Sequence, residues 1–437
     1  MLNELKQQYP QHLASLPGQQ LAWLQKMRQE AFALFMQQGL PNIRTEAWKY
    51  TNLLPVSKQT YNFGKKNTTT NNLPALISKA TRLVFIDGYF NKALSNLNTL
   101  PEGLQISTLA AALEEENPAL LTHWKKHLPL NDTAITALNL SCAADGAVII
   151  LPENCQAGTI ELCFFSSATD NKKIIQPRNI ILSGEGSSAT IIEHYCGDDN
   201  AANLTNSITE LFLAKNATMQ HIKIQREPKE CVHIGQLYVD QQTNSQLQSY
   251  VLSYGGSLVR NQIHNRLDAP QSKTELYGLF IAKDYQHMDQ HTTIEHIKPE
   301  CTSYEFYRGI LLDNSRGIFS GNVLVHPNAP KSNAKQVNNN LLLSPNAEID
   351  TKPELQIYTD DVQCSHGATV GKLDEQALFY LRSRGLNYDQ ARSLLIYTFA
   401  AEVLKNISDA NLRNTLQQQI LTYLPVTTWL QEICHDI

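Results

Sequence analysis

A long run of short strand-like segments, with no helical pattern between them, constrains the fold more than any other feature. From about Asn131 to about Thr359, segments rich in β-branched residues, such as AVIILP, TIELCFF and ATIIEHY, recur roughly every 10 to 20 residues. Gly, Asn, Asp or Ser separates them, as is typical of turns. An ordinary parallel α/β sheet is excluded, because its strands need helical crossovers. A pair of β-sandwiches or barrels and a β-solenoid remain.

The solenoid is the favoured alternative. The spacing of the segments drifts continuously along the chain, and the run Asn338–Asn340 could form a polar ladder between successive coils. Spacing alone leaves the sandwich or barrel pair open.

Helical patterns flank this region on both sides. Apolar residues at intervals of three and four predict a helix over residues 17–38, and a second helical stretch over 107–127 contains Pro118. After Gly371 three more helices are predicted. Their expected N-caps are Asp374, then Asp389 or Asn387, then Ser408. The predicted organisation is a mainly helical region over 1–130, a β-rich core over 131–370 and a helical domain over 371–437.

Charge and cysteine usage narrow the function classes. The chain has 36 Lys and Arg against 41 Asp and Glu, for a net charge of -5, which argues against nucleic acid as a partner. Its first fifteen residues lack the apolar core of a secretory signal, and no window is apolar enough to cross a membrane, so we expect a cytoplasmic protein. The eight cysteines occur singly, as expected of reduced, mostly buried thiols.

The stretch DDVQCSHGATVG, residues 360–371, carries the candidate chemistry. Asp360 and Asp361 are typical turn residues, and on a β-helix enzyme they could instead serve as acid and base. Cys364 and His366 are two residues apart, so an extended segment would place both side chains on one face. Thiolate and imidazole are suitable ligands for iron, but two ligands cannot complete a site alone.

Two other motifs are weaker. The sequence GATVGK at 367–372 resembles a phosphate-binding loop, but its glycines are too close together and Leu373 replaces the required Ser or Thr. His287, His291 and His296 form the only other dense histidine group. The odd offset between the last two would turn His296 to the opposite face of a strand, which argues against a three-histidine metal site.

Two long motifs resemble the SufB/SufD family of iron–sulfur cluster assembly proteins. The first, from Tyr307 to Leu386, includes CSHGATVG followed by LFYLRSRG, a combination similar to the SufD branch. The second is RTEAWKYTNL, residues 44–53, which is similar to the entry segment of that branch. One departure is APKSNA at 329–334, where family members commonly have Ala-Gln-Lys-Thr-Asp-Ala. Pro330 and Asn333 therefore put the local structure of that coil in question.

The resemblance implies a right-handed parallel β-helix with helical regions at both ends. It also implies a subunit that is not an enzyme, pairs with a SufB-like subunit and binds a SufC-like ATPase through its C-terminal helices. His366 would help to form a transient iron–sulfur cluster at the SufB interface, whereas Cys364 could be a packing residue. No cofactor would be tightly bound to the isolated chain, which could form a homodimer. The alternatives are a SufB-like primary scaffold and a β-helix enzyme acting on carbohydrate.

Overall fold

The computed structural model describes residues 1–66, 70, 72–77, 81–97, 100–127 and 133–435. Helices lie at both ends of the sequence. They are α1 (Leu2–Ser15), α2 (Ala22–Gln38), α3 (Leu54–Ser57), α4 (Leu109–Glu114), α5 (Pro118–His127), α6 (Ala134–Cys142), α7 (Glu375–Ser383), α8 (Tyr388–Ala401), α9 (Ala410–Tyr423) and α10 (Thr428–His435), with short 3-10 helices at Glu46–Trp48 and Glu402–Leu404. Across these described ranges, no helix has the length and apolar character needed to cross a membrane.

Strands form the centre of the molecule. They are β1 (Asn62–Phe63), β2 (Thr81–Ile86), β3 (Tyr89–Phe90), β4 (Gln105–Thr108), β5 (Ala147–Leu151), β6 (Gln156–Ser166), β7 (Lys173–Ile175), β8 (Arg178–Ser183), β9 (Ser188–Gly197), β10 (Leu204–Leu213), β11 (Thr218–Gln225), β12 (Val232–Gln241), β13 (Gln246–Ser253), β14 (Leu258–Leu267), β15 (Lys273–Ala282), β16 (His287–His296), β17 (Thr302–Leu311), β18 (Arg316–Val325), β19 (Ser332–Leu342), β20 (Glu348–Ile357) and β21 (Val362–Gly371).

These strands wind into a parallel β-helix, which confirms the predicted core. From β8 onward each strand pairs in parallel with the strand two further along the chain, so the chain alternates between two sheets. One sheet ends at β20 and the other at β21, and we call them the β20 sheet and the β21 sheet. The absence of helices between strands follows from this winding, because a short corner turn is enough to bring the chain from one sheet to the other.

Alternating side chains fill the interior of the β-helix. In β14, Ile263 and Leu267 are buried inside, whereas His264 and Arg266 between them face outward. The corners use residues that tolerate a left-handed backbone: Asn216 and Asn244 have φ of 58° and 55°. The Asn244 side-chain amide donates to Asn216 Oδ1 at 2.8 Å. The short apolar segments of the sequence thus form the strands, and the Asn-rich turns between them form the corners.

The start of the β-helix is closed. There β3 pairs antiparallel with β2, and β4 pairs antiparallel with β5, so the parallel winding does not continue outward. Leu113 of α4 and Trp124 of α5 belong to one buried cluster with Val148 and Ile180 of the first coils. The buried carboxylate of Asp145 accepts backbone N–H groups from Phe90 at 3.1 Å, Ala110 at 3.1 Å and Gly146 at 3.0 Å. Leu104, with Phe90 and Leu100, packs against the interior, so β3, β4 and the segments beside them close this end, whereas α4 and α5 pack on the outer face of the first coils.

The N-terminal helices agree with the sequence analysis in part. The helix predicted over 17–38 is α2, and the stretch over 107–127 divides into α4 and α5, with Pro118 as the first residue of α5. Residues 134–142, placed in the β-rich core by the sequence analysis, form α6, and the uninterrupted run of strands begins at Ala147. Two earlier strands, β1 and β2, already pair in parallel with β7 and β6. The hydroxyl of Thr133 accepts from Thr136 N and caps α6, a signal that the strand-like texture downstream concealed.

The RTEAWKYTNL segment crosses the outer face of the β20 sheet. Trp48 lies over the guanidinium of Arg260, 4.1 Å from its ring centroid, and Thr51 Oγ1 donates to Asp289 at 2.5 Å. Arg260 and Asp289 form a buried ion pair beneath this contact. The motif therefore binds the N-terminal region to the β-helix through one aromatic and one hydroxyl contact with a buried charge pair.

Pro330 and Asn333 do not disrupt their coil. Pro330 lies in the corner before β19, where its carbonyl accepts Glu300 N at 3.0 Å, and the missing N–H is not needed by a strand. Asn333 pairs in regular parallel register with Thr302.

The C-terminal helices pack on the outer face of the β21 sheet. Asp374 and Asn387 cap α7 and α8 as predicted, whereas α9 is capped by Asp409 and not by Ser408. A fourth helix, α10, was not predicted. Ile396 and Ala400 belong to one buried cluster with Tyr250, Tyr277 and other outward-facing residues of the sheet. The helices thus cover the side of the β-helix and leave its end free.

Candidate functional site at the open end of the β-helix

The β-helix ends abruptly at β20 and β21. In the described part of the chain, β20 pairs only with β18, and β21 pairs only with β19. Each end strand therefore presents one unpaired edge of backbone N–H and C=O groups. We call the surface formed by β20 and β21 the open end.

Apolar side chains line the open end. Register with the buried residues of β18 places Leu355 and Ile357 on the inward face of β20, and register with β19 places Val370 on the inward face of β21. Ile357 is 41% exposed and Val370 is 48% exposed. Few other large apolar side chains of the β-helix are as exposed to solvent. The interior of the β-helix therefore reaches the surface here without a cap, which is typical of an interaction site.

Cys364 and His366 both lie on the inward face of β21, so the prediction that they share a face is confirmed. Their register partners in β19 are the buried Ala334 and Gln336. Cys364 packs against a small apolar cluster that includes Ala334 and Leu355, and burial raises the pKa of its thiol. This environment favours a packing role for Cys364, because a thiol with a raised pKa is a weaker ligand and nucleophile.

His366 has a different environment. Its side chain is exposed at the mouth of the β-helix and makes no hydrogen bond within the described ranges. The imidazole is therefore free to bind a group brought to the open end from outside the chain.

The other predicted candidates lie apart from this site. Asp360 and Asp361 are exposed in the bend before β21, and the backbone carbonyl of Asp361 accepts Lys331 N at 2.6 Å. In β16, His296 is buried inside and contacts Ser303, whereas His291 faces outward toward Asp289. The predicted divergence of the histidines is confirmed. The described residues contain no group of three or more His, Cys, Asp or Glu that could bind a metal ion.

A buried polar layer lies behind the open end and was only partly predicted. Asn338 and Asn340 are inward-facing and bonded to each other, and Thr351 Oγ1 donates to Asn338 Oδ1 at 2.8 Å. The run bonds to both neighbouring coils, through Thr369 Oγ1 to Asn339 Oδ1 at 2.7 Å and Asn338 Nδ2 to the carbonyl of Tyr307 at 3.3 Å, so the expected ladder is present only as single bonds.

Glu305 was not predicted as part of this layer. It is fully buried on the inward face of β17, and burial raises its pKa to about 7. Gln336 Nε2 donates to Glu305 Oε2 at 2.5 Å. The alternation YEFY around Glu305 was a possible signal, since it places the carboxylate opposite in phase to Tyr304 and Phe306.

A second exposed surface lies on the C-terminal helices. No residue of α7 is buried, and Phe379 and Tyr380 are 74% and 55% exposed. Arg308 of β17 anchors the neighbouring helices, because its guanidinium pairs with Glu402 and donates to the carbonyl of Phe399 at 2.6 Å. Large exposed aromatic side chains on a firmly anchored helical unit are typical of a protein-binding surface.

Comparison with known proteins gives consistent matches along the chain. Residues 164–399 match the family model of the SufBD core domain of the SUF system for FeS cluster assembly, and residues 2–160 match that of the SufBD protein N-terminal region. A SufBD-family iron–sulfur cluster assembly protein of Synechocystis sp. is 32% identical over 430 residues, which is 95% of this chain and 94% of the relative.

Two further relatives span nearly the same length. The iron–sulfur cluster assembly protein SufD of Escherichia coli is 31% identical over 407 residues, 91% of this chain and 92% of its own. Protein ABCI7, chloroplastic, of Arabidopsis thaliana is 28% identical over 433 residues, 95% of this chain and 89% of its own. The likeness therefore covers the N-terminal region as well as the β-helix that carries the open end.

Proposed function

Because the chain belongs to the SufBD family of iron–sulfur cluster assembly proteins and is SufD-like, we propose that it is a non-catalytic subunit of an assembly complex. Its open end pairs with a SufB-like subunit, and the nascent cluster forms at the seam between the two. The observation that carries this proposal is the uncapped end of the β-helix, where apolar residues and two unpaired strand edges coincide with His366.

A partner of the same architecture fits this surface. A second β-helix end would supply both strand edges for the unpaired backbone groups and an apolar interior for Leu355, Ile357 and Val370. β20 carries Lys352, Pro353 and Glu354 along its edge, features that discourage indiscriminate pairing, whereas β21 has no Pro or Lys. The partner strand is therefore expected to register mainly on β21.

The cluster is the cargo of this seam and not a resident cofactor of the chain. His366 offers one imidazole nitrogen, and Cys364 is the nearest thiol on the same face. Iron–sulfur clusters are normally held by about four ligands, with histidine replacing cysteine at some irons. The remaining ligands must then come from the SufB-like subunit, which explains why the isolated chain would not retain a cluster.

The experiment is to mix the chain with a SufB-like subunit and to measure hydrogen exchange. We expect a one-to-one complex in which the backbone amides of β20 and β21 become protected, while those of the corner turns along the β-helix do not. Protection of another surface, with β21 exchanging as in the free chain, would contradict the proposal. A homodimer protected at the same strands would show that the open end pairs with its own copy when the partner is absent.

The C-terminal domain, residues 371–437, would bind a SufC-like ATPase through α7. Removing everything after Gly385 is a poor test, because it would strip α8 and α9 from the apolar outer face of the β21 sheet. The sharper variant is Phe379→Asp, since this side chain is 74% exposed and its change leaves that core intact. We expect loss of ATPase binding on size exclusion with an unchanged melting temperature.

The matched control is Tyr285→Asp, which places the same charge at an 83% exposed aromatic residue on a corner of the β-helix. It should bind the ATPase as the unchanged chain does. Normal binding by the Phe379 variant would place the ATPase elsewhere.

A further inference from the structure

Three inward-facing side chains form a column that runs from the interior to the open end. Glu305 of β17 pairs in register with Gln336 of β19, and Gln336 pairs in register with His366 of β21. Neighbouring strands of a sheet lie about 4.8 Å apart, so these side chains follow one another on the inner wall of the β21 sheet. The column ends at the side chain proposed as the cluster ligand.

One end of the Gln336 amide is hydrogen-bonded and the other is not. Its side chain is 1% exposed, and its Nε2 donates to Glu305 Oε2 at 2.5 Å. Its Oε1 has no hydrogen-bond partner within the part of the chain that the structure describes. A buried acceptor without a donor is unfavourable, so a donor at this position would stabilise it. The strand on the side away from Glu305 is β21, and its residue at this register is His366.

The opposite wall of the β-helix makes room for this amide. Gly321 of β18 faces inward, and a Cβ there would lie 2.0 Å from Gln336 Nε2. Any larger residue would displace the amide. The glycine therefore permits Gln336 to extend across the interior and hold its amide against Glu305.

We infer that Gln336 is a positioning residue for His366, whose ring N–H donates to Gln336 Oε1 when a partner closes the open end. The inference rests on the proposed function of His366. Glu305 fixes the orientation of the amide, because its Oε2 accepts from Gln336 Nε2 and the carbonyl oxygen is left for the next rung. The hydrogen bond selects one tautomer, so the other ring nitrogen presents its lone pair to iron. Metal-binding histidines usually have such a second partner.

In the free chain His366 is exposed and makes no hydrogen bond with the described residues, so docking is what brings ring and amide together. Closing the mouth removes water from His366 and leaves Gln336 Oε1 as the acceptor in line with it. Gln336 thereby makes the tautomer of His366 depend on partner binding.

The test uses the complex with a SufB-like subunit, in which only this chain carries 15N-histidine. Nitrogen spectra of the sedimented, cluster-free complex distinguish protonated from unprotonated ring nitrogens, and His366→Ala identifies the His366 signals. We expect one tautomer in the unchanged complex and a mixture in Gln336→Met, which keeps the side-chain length but removes the amide. Iron and sulfide acquired in cells should fall by about 10-fold or more in Gln336→Met.

Gln290→Met is the matched control, because Gln290 is a buried inward-facing glutamine of β16 that contacts Ser253 instead. It should leave the tautomer of His366 and the cluster yield unchanged. If Gln336→Met does not join the complex, Gly321→Ala displaces the same amide from the opposite wall and should give the same mixture.

Mixed tautomers in the unchanged complex, or a single tautomer that persists without the amide, would overturn the inference. The outcome is separate from that of the proposed function. If His366→Ala acquires a normal cluster, His366 is not a ligand, whereas the nitrogen spectra still decide whether Gln336 fixes its ring.

Discussion

The two ends of the β-helix share one architecture but finish differently. At the first end, antiparallel strands β3 and β4 end the two sheets, Phe90, Leu100 and Leu104 pack against the interior, and Asp145 bonds to the backbone beside them. At the second end, β20 and β21 each have one edge that no described residue pairs with, and Ile357 and Val370 remain exposed. The proposed function accounts for this difference, because a partner subunit would cover the open end.

The C-terminal helices sharpen this comparison. They follow directly after β21 and could have folded over the open end, yet they pack on the side of the β21 sheet through Tyr250 and Tyr277. Asn406 donates to the hydroxyl of Tyr277 at 2.6 Å and helps to keep them there. The C-terminal helices therefore lie on the side of the β-helix and do not cover its second end.

The largest expected effect comes from placing a charge in the open end. Val370→Asp should abolish pairing with a SufB-like subunit, because a carboxylate buried at the seam without a partner costs several kcal/mol. The monomer should remain folded, since Val370 is already 48% exposed. Binding is measured by titration calorimetry.

Leu97→Asp is the control, since Leu97 is 47% exposed near the closed end. Equal loss of binding in both variants would contradict the prediction that the SufB-like subunit binds at the open end and not at the closed end.

The second prediction is that a substitution at the closed end affects stability, whereas one at the open end affects partner binding. Ile149→Ala, in the fully buried first coil, should lower the free energy of unfolding by about 2 to 5 kcal/mol and leave partner binding intact. Ile357→Ala, at the open end, should lower it by less than about 1 kcal/mol and weaken binding instead. Urea unfolding of the free chain and calorimetry of the complex report the two effects. Similar unfolding costs at both positions would mean that the open end is already covered in the free chain.

The third prediction concerns pH and the polar layer behind the open end. Burial raises the pKa of Glu305 from 4.5 to about 7, so the folded chain binds this proton more tightly than the unfolded chain. The resulting stabilisation is fully present below about pH 4.5 and is lost as the pH rises to about 7. Relative to the unchanged chain, Glu305→Gln should therefore become more stable between pH 5 and pH 7.5, by about 2 kcal/mol.

Urea unfolding at both pH values measures this difference. The control is Glu153→Gln, which removes an exposed carboxyl from a turn of the β-helix and should show no comparable change. A pH-independent difference between Glu305→Gln and the unchanged chain would show that the carboxyl titrates alike in both states.

Local signals made much of the fold predictable. Short β-branched segments with Asn-rich corners indicated the core, and Asp374 and Asn387 indicated two helix starts. The choice of a β-helix over a sandwich depended on the family resemblance, because strand spacing does not reveal which strands pair. Helix α6 was missed, since its cap at Thr133 lies beside strand-like sequence.

The sequence predicted only those features of the site that depend on neighbouring residues in the chain. An extended backbone places Cys364 and His366 on one face, and this required no tertiary information. That the end is uncapped depends on where α8 and α9 pack, and the link from His366 to Gln336 joins residues one coil apart. Buried charges such as Lys223, beside Glu193, are likewise hidden, because their partners come from other coils.

His366 at the open end is the residue whose replacement tests the proposed function most directly. His366→Ala should join the SufB-like and SufC-like subunits as the unchanged chain does, because one exposed imidazole at the end of the β-helix contributes little to the apolar seam. Its complex should acquire iron and sulfide in cells at a level reduced by about 10-fold or more, since loss of a ligand should cost at least as much as loss of its support. Cys364→Ser should stay close to the unchanged yield.

The measurement is the mass and melting temperature of the purified complex together with its iron and sulfide content. An intact His366→Ala complex with little cluster is the predicted result. An intact complex with a full complement of cluster would contradict the account, and so would a yield that falls only as far as the complex loses stability.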